Sequence, residues 1–264
     1  LEKFPHLLKV NSIHFGGGTP SFLTPAQLID LLKVFDKYKT KHFNGSIELD
    51  PRTVTKEHLI VLREFGFKKA SLGIQDFDPK VQKAINREQS FELVKEKVEL
   101  IRSYGFTELN FDLIWGLPHQ SKDTILDTFK KVNQLNPDRI SFFSYAHLPQ
   151  KIKNQRLIKD EDLLQGDEKL ALFNCASTYL KDNDYISIGM DHYAKKGSRL
   201  HKAYLEKTLY RNFMGYVEEK SDILLGLGVS SISKNAKGFI QNIKDLKTYY
   251  KNLDNLKLPI EKGH

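Results

Sequence analysis

Two carboxylates stand where a strand has no structural use for them. Asp112 lies inside the run Asn110-Phe111-Asp112-Leu113-Ile114, and Glu48 inside Ile47-Glu48-Leu49-Asp50-Pro51. Burying a charge without a partner is costly, so a carboxylate at such a position needs a partner or a ligand. A third feature is the run Phe15-Gly16-Gly17-Gly18-Thr19-Pro20. Three glycines remove side chains and let backbone N–H and C=O groups meet a bound molecule directly. On its own the run reads first as a plain turn. The chemistry these residues suggest together is recognition of a small molecule by main chain and short polar groups.

The elements that must position them follow a regular rhythm. Strand-like runs are Ser12–Phe15, Ser46–Leu49, Ala70–Ile74, Glu108–Ile114 and Arg139–Tyr145, rich in Ile, Leu and Phe as for strands buried on both faces. Between them lie amphipathic helical patterns. The first begins at Thr24-Pro25-Ala26-Gln27, a capping-box start with proline at the first helical position. The second starts at Thr55 and closes at Gly66, the third follows Ser90 and closes at Gly105, and the fourth follows Ser121 with Pro137 beyond it. This alternation predicts an α/β fold with a parallel sheet. Five strands are too few for a closed eight-stranded barrel, so a partial (truncated) parallel β/α barrel is expected. After Tyr145 the rhythm changes to a basic connection, a helix from about Asp167 to Lys181 and short mixed segments. The expected division is a barrel core over 1–150 and, over 151–264, its continuation as a smaller mixed α/β extension.

In parallel α/β folds ligands bind at the carboxyl ends of the strands. The expected strands deliver Gly16–Thr19, then Glu48 and Asp50, then Gln75-Asp76, then Asp112 with Gly116-Leu117-Pro118, then Tyr145-Ala146-His147 to that end. Each polar residue alone has a plain alternative. Asp112 could bond backbone, Glu48 could cap the next turn, and Arg87 could pair with a surface carboxylate. Their coincidence at one end of one sheet favours a site.

Composition bounds the partners. The chain has 264 residues, 40% hydrophobic and 28% charged, with a formal charge of +8. Its basic residues are scattered, with no block of five or six, which disfavours nucleic acid. No apolar run approaches the roughly 20 residues of a membrane span, and Leu1–Pro5 lacks the pattern of a secretion signal, so a cytoplasmic location is expected. The single cysteine, Cys175, lies in a helical pattern as a small buried or half-buried thiol.

Several longer segments carry a resemblance. Gly-Gly-Gly-Thr-Pro, Ile47–Arg52, Leu72–Phe77, Asn86–Gln89 and Phe111–Pro118 resemble the radical S-adenosylmethionine (SAM) enzymes of porphyrin biosynthesis. Ser144–Pro149, Ile188–Ala194, Arg211–Tyr216 and Gly226–Ser233 narrow it to the oxygen-independent coproporphyrinogen III oxidase family. The resemblance implies a barrel of radical SAM type. It also implies oxidative decarboxylation of two propionates of coproporphyrinogen III to vinyl groups, giving protoporphyrinogen IX in haem biosynthesis. In that family a [4Fe–4S] cluster and SAM generate the radical that removes a propionate hydrogen, and an electron donor serves the cluster. Matched position by position, two SAM molecules would be held by Gly17, Gly18, Thr19, Glu48, Gln75, Arg87, Asp112, Ala146 and Ile232. Glycine backbone would accept from the ammonium, Glu48 and Asp112 from ammonium or ribose hydroxyls, Arg87 would meet the methionine carboxylate, and Ala146 and Ile232 the adenine.

One departure is plain. The family holds its cluster with a CxxxCxxC-type motif, and Cys175 alone cannot supply three thiolates. The chain is therefore expected to be a fragment without that motif and without the family's C-terminal helical domain, inactive as it stands, and a monomer whose one open barrel edge risks instability or association. The alternatives are a haem-binding or haem-chaperone relative, an unrelated α/β-barrel enzyme, or a basic nucleic-acid binder.

Overall fold

Helix starts and stops are written in local chemistry, and they set the order of the fold. The computed structural model describes residues 9–213 and 215–264. Leu1–Pro5, in which no secretion signal is read, and Met214 of the Arg211–Tyr216 segment lie outside the described residues. In chain order the elements are β1 (Val10–Phe15), α1 (Pro25–Asp36), β2 (Lys39–Leu49), α2 (Lys56–Glu64), β3 (Phe67–Gln75), α3 (Pro79–Ala84), α4 (Phe91–Ser103), β4 (Glu108–Trp115), α5 (Lys122–Leu135) and β5 (Arg139–Ser144). There follow α6 (Gly166–Asp182), β6 (Tyr185–Gly189), β7 (His192–Lys195), α7 (Arg199–Leu205), β8 (Tyr210–Asn212), β9 (Gly215–Val217), β10 (Ile232–Asn235), β11 (Gly238–Asn242), α8 (Leu246–Asp254) and β12 (Ile260–Gly263).

At α1 the capping box closes in both directions: the Gln27 N–H donates to Thr24 Oγ1 at 3.3 Å and the Thr24 N–H to Gln27 Oε1 at 2.8 Å. Ser90 and Ser121 cap α4 and α5 by accepting from the Leu93 and Thr124 N–H groups at 3.1 and 3.2 Å. Gly66 and Gly105 close α2 and α4 at φ +92° and +77°, a left-handed conformation that glycine adopts without strain.

Backbone contacts divide the chain into one unit ending at His201 and another from Lys202 to His264. In the first, the sheet order is β1-β2-β3-β4-β5-β7-β6. β1 to β5 run parallel, and β7 and β6 add an antiparallel hairpin beside β5. Ile47, Leu49, Leu72, Ile74, Phe111, Leu113, Ile140 and Phe142 point to one face and join Leu28, Leu59, Val98, Phe129 and Ala176 of the helices in one buried core. The strands thus bury their core side chains on the helix face. Their other face carries Ser46, Glu48, Ser71, Asn110, Asp112 and Ser141, which the reading of strands buried on both faces did not anticipate. Among the described residues of the first unit the helices pack against one face, which makes this an α/β partial barrel rather than a sheet covered twice.

The second unit holds the β8–β9 hairpin, the antiparallel sheet β10-β11-β12 and α8.

Phe129 fills the helix-face core, with its ring 5.1 Å from that of Phe142 at 82° and 6.3 Å from Tyr179. Phe129→Ala is expected to lower stability by about 3–5 kcal/mol in denaturant melts. A loss under about 1 kcal/mol would show that this layer does not hold the helices to the sheet.

Candidate functional site

The glycine loop is fastened to β2 by a carboxylate. The Gly17 N–H donates to Glu48 Oε2 at 3.0 Å, while Glu48 Oε1 lies 3.4 Å from His14 Nε2 and His14 Nδ1 meets Ser46 Oγ at 2.8 Å. Glu48 therefore ties the first two strand ends together instead of capping its own turn. The same contacts explain Gly16, because a Cβ there would come within 2.5 Å of His14 Nε2 and 2.9 Å of Glu48 Oε1. Gly17 and Gly18 lie at φ +73° and +59°, and Cβ atoms on them would meet no atom within 4 Å. These two glycines are needed for conformation, and they leave an open cradle. Thr19 ends the loop, its carbonyl accepting from the Phe22 N–H at 2.9 Å.

Asp112 sits in a polar ladder across the inner strands. Ser71 Oγ donates to its Oδ2 and Asn110 Nδ2 to its Oδ1, both at 2.8 Å, and Ser141 Oγ donates to Asn110 Oδ1 at 3.2 Å. Register puts these residues side by side, with Gly73 opposite Asp112 and Asp112 opposite Ser141. Burial pushes the Asp112 carboxyl above the usual range, and the Glu48 charge adds to the rise; the bonds it accepts from Ser71 and Asn110 pull the other way.

Beside this ladder, Gln75 and Arg87 close over Gly73. A Cβ on Gly73 would lie 2.7 Å from Arg87 Nη2 and 3.0 Å from Gln75 Nε2. Arg87 Nη2 donates to the Gly73 carbonyl at 3.1 Å and stands 3.4 Å from Asp50 Oδ2. Asp50 is buried and is also gripped by Arg52, Nη2 to Oδ2 at 2.7 Å. Gln75 takes φ +66°, left-handed for a residue with a side chain, at a break in the β3–β4 register. At the end of β5, Ala146 is exposed and its carbonyl accepts from Gln155 Nε2 at 2.9 Å.

Eight of the nine expected site residues thus belong to the first unit and occupy the carboxyl ends of its parallel strands or the loops that follow. Ile232 belongs to β10 of the second unit, opposite Gln241, with its backbone against Gly226. From the sequence Asp50 stands at a strand end without a role, and His14, Ser71, Asn110 and Ser141 are not singled out as site residues. Period-two spacing in Asn110-Phe111-Asp112 was the available signal for Asn110; the serines carry none until the register is known.

SAM fits what is present. The open cradle at Gly17 and Gly18 has room for a ligand, and the buried Arg87 Nε has no hydrogen-bond partner among the described residues. An iron–sulfur cluster does not fit the residues present. Cys175 is the single cysteine, and no group of three His, Cys, Asp or Glu able to hold a metal occurs among the described residues.

Residues 1–132, half of the chain, match the Radical SAM superfamily, and the chain belongs to that superfamily. It is 44% identical to the oxygen-independent coproporphyrinogen III oxidase of Helicobacter pylori over 260 residues, 97% of this chain and 56% of that protein. Against the Escherichia coli K12 enzyme of the same name it is 43% identical over 249 residues, 93% of this chain and 54% of that one. The solved Escherichia coli coproporphyrinogen III oxidase, described as a radical SAM enzyme, superposes with a TM-score of 0.93 at 41% identity, covering 97% of this chain and 59% of that chain. The chain spans somewhat more than half the length of these relatives.

The hydrogen bond with His14 holds the Glu48 carboxyl below the usual glutamate range; burial opposes this and the Gly17 N–H adds to it. A lowered folded-state pKa contributes stability that is complete above the ordinary value of about 4.3 and is lost as pH falls through the folded value. The stability gap between wild type and Glu48→Gln should therefore shrink on acidification below that value in melts at stepped pH. A gap that stays constant would show that Glu48 is not the tie between loop and β2.

Proposed function

We propose that this chain carries the SAM-binding part of an oxygen-independent coproporphyrinogen III oxidase. The observation that carries the reading is the convergence, at one end of one sheet, of an open glycine cradle with Glu48, Asp112 and the partly unsatisfied Arg87. In this reading the Gly17–Thr19 backbone and Glu48 hold the ammonium end of SAM, and Arg87 presents its fork of donors to the methionine carboxylate. Asp112 accepts ribose hydroxyls, Gln75 lies beside it, and Ala146 contacts adenine. Two SAM molecules are held by this set. Bound SAM supplies the adenosyl group that takes a hydrogen atom from the substrate.

The reaction proposed for the whole enzyme is oxidative decarboxylation of two coproporphyrinogen III propionates to vinyl groups, within haem biosynthesis. A substrate with four carboxylates suits a chain of net charge +8. The further proposals are a cluster with an external electron donor, no nucleic-acid partner, a monomer, and a cytoplasmic location without membrane attachment. Among the described residues no helix is long and apolar enough to cross a membrane.

Calorimetric titration with SAM tests the site. Asp112→Ala and Glu48→Ala should each weaken binding at least about tenfold, roughly 1.4 kcal/mol. Unchanged affinity in both variants would overturn the assignment. A second prediction concerns the metal: anaerobic reconstitution of these 264 residues with iron and sulfide should give no absorbance near 400 nm, since one cysteine cannot ligate a cluster. A stable band there would contradict it.

A further inference from the structure

Lys169 belongs to none of the contacts described above, yet it reaches the rim of the sheet from the first turn of α6. Its Nζ donates to the Tyr145 carbonyl at 2.9 Å and stands 5.3 Å from the centre of the Trp115 ring. Its aliphatic stem lies against Gly116, at φ +79°, where a Cβ would overlap Lys169 Cε. The Tyr145 N–H donates in turn to the Trp115 carbonyl at 2.8 Å. Tyr145 is thus bound through its N–H to β4 and through its carbonyl to α6.

The consequence falls on the next residue. In a trans peptide the C=O and the following N–H point in opposite directions. Holding the Tyr145 carbonyl toward Lys169 therefore turns the Ala146 N–H to the other side. That N–H donates to no group among the described residues. The Ala146 carbonyl is already engaged by Gln155 Nε2, and Gln155 Oε1 accepts from the Leu148 N–H at 2.5 Å. The Ala146 N–H at the end of β5 is thus an exposed backbone donor, held in a fixed direction by the engaged carbonyls on both flanks.

We propose that Lys169 is a positioning residue, which by gripping the Tyr145 carbonyl aims the Ala146 N–H at an acceptor ring nitrogen of the ligand's nucleobase. This rests on the SAM reading of the site. A lysine suits the task because one compact ammonium can donate to the carbonyl while its stem covers Gly116 and its charge faces the Trp115 ring. Methionine at this position would keep the stem and lose the donor; arginine would keep a donor and the charge.

The test titrates wild type, Lys169→Met and Lys169→Arg with SAM, with 5′-methylthioadenosine (the base half) and with methionine (the other half). It also follows the Ala146 amide in ¹⁵N–¹H spectra without ligand. Lys169→Met should bind SAM and methylthioadenosine about tenfold more weakly and methionine within about twofold of wild type. Lys169→Arg should restore base-half affinity to within about threefold. The Ala146 cross-peak should shift and broaden in Lys169→Met and stay in place in Lys169→Arg. Unchanged methylthioadenosine affinity in Lys169→Met, or an equal loss for both halves, overturns the proposal. If wild type binds neither SAM nor methylthioadenosine, the SAM reading itself fails. The Ala146 cross-peak then decides on Lys169, and an unmoved signal in Lys169→Met overturns it.

Discussion

A carboxylate placed in the middle of a sheet has to be surrounded by donors, and that requirement shapes the inner face of this protein. Asp112 draws Ser71 from β3 and Asn110 from its own strand, while Ser141 of β5 completes the ladder through Asn110. Glu48 does the same work at the first two strands, with Gly17 and His14 as partners. Apart from the Asn110–Asp112 bond within β4, each of these bonds crosses between strands or from strand to loop. The polar face is therefore held in one arrangement before any ligand arrives, and preorganisation of this kind lowers what ordering costs on binding.

The two faces of the sheet divide the labour. On one side Phe129, Phe142 and Phe173 pack with the leucines and isoleucines of the helices into a single apolar core. On the other, Ser71, Asn110, Asp112 and Ser141 form a polar layer beside Glu48. Apolar burial supplies the stability, so the inner face is free to carry groups that destabilise a fold when left alone, such as the raised carboxyl of Asp112 and the left-handed Gln75. Arg87 is held between Asp50 and the Gly73 carbonyl, and its Nε still lacks a partner. That combination of rigidity and incomplete satisfaction is what a binding site requires.

Much of this was legible in the residues. Thr24-Pro25-Ala26-Gln27 forms both halves of its capping box, Gly66 and Gly105 end helices where expected, and the five parallel strands fall on their expected segments. The carboxyl-end rule put Glu48, Gln75, Asp112 and Ala146 at one end of the sheet before any register was known. Other parts depend on long-range pairing that local pattern does not carry. Ser71 and Ser141 look like ordinary strand serines until β3, β4 and β5 are aligned. Arg87 and Asp50 are far apart in sequence, and β7 joins β5 only after the whole of α6 intervenes. The short helix α3 has one turn and a half of residues, too few for a periodic stripe. Lys169 reads as one more charged residue on an exposed helix face, and only the folded chain brings it to Tyr145.

The central claim is that the carboxyl ends of the parallel strands hold SAM. Its most direct test is to map ¹⁵N–¹H shift changes on these 264 residues as SAM is added. The account predicts that the changes centre on Gly17, Gly18, Thr19, Glu48, Gln75, Arg87, Asp112 and Ala146. Changes centred on the amino ends of the strands, or none at millimolar SAM, would contradict it.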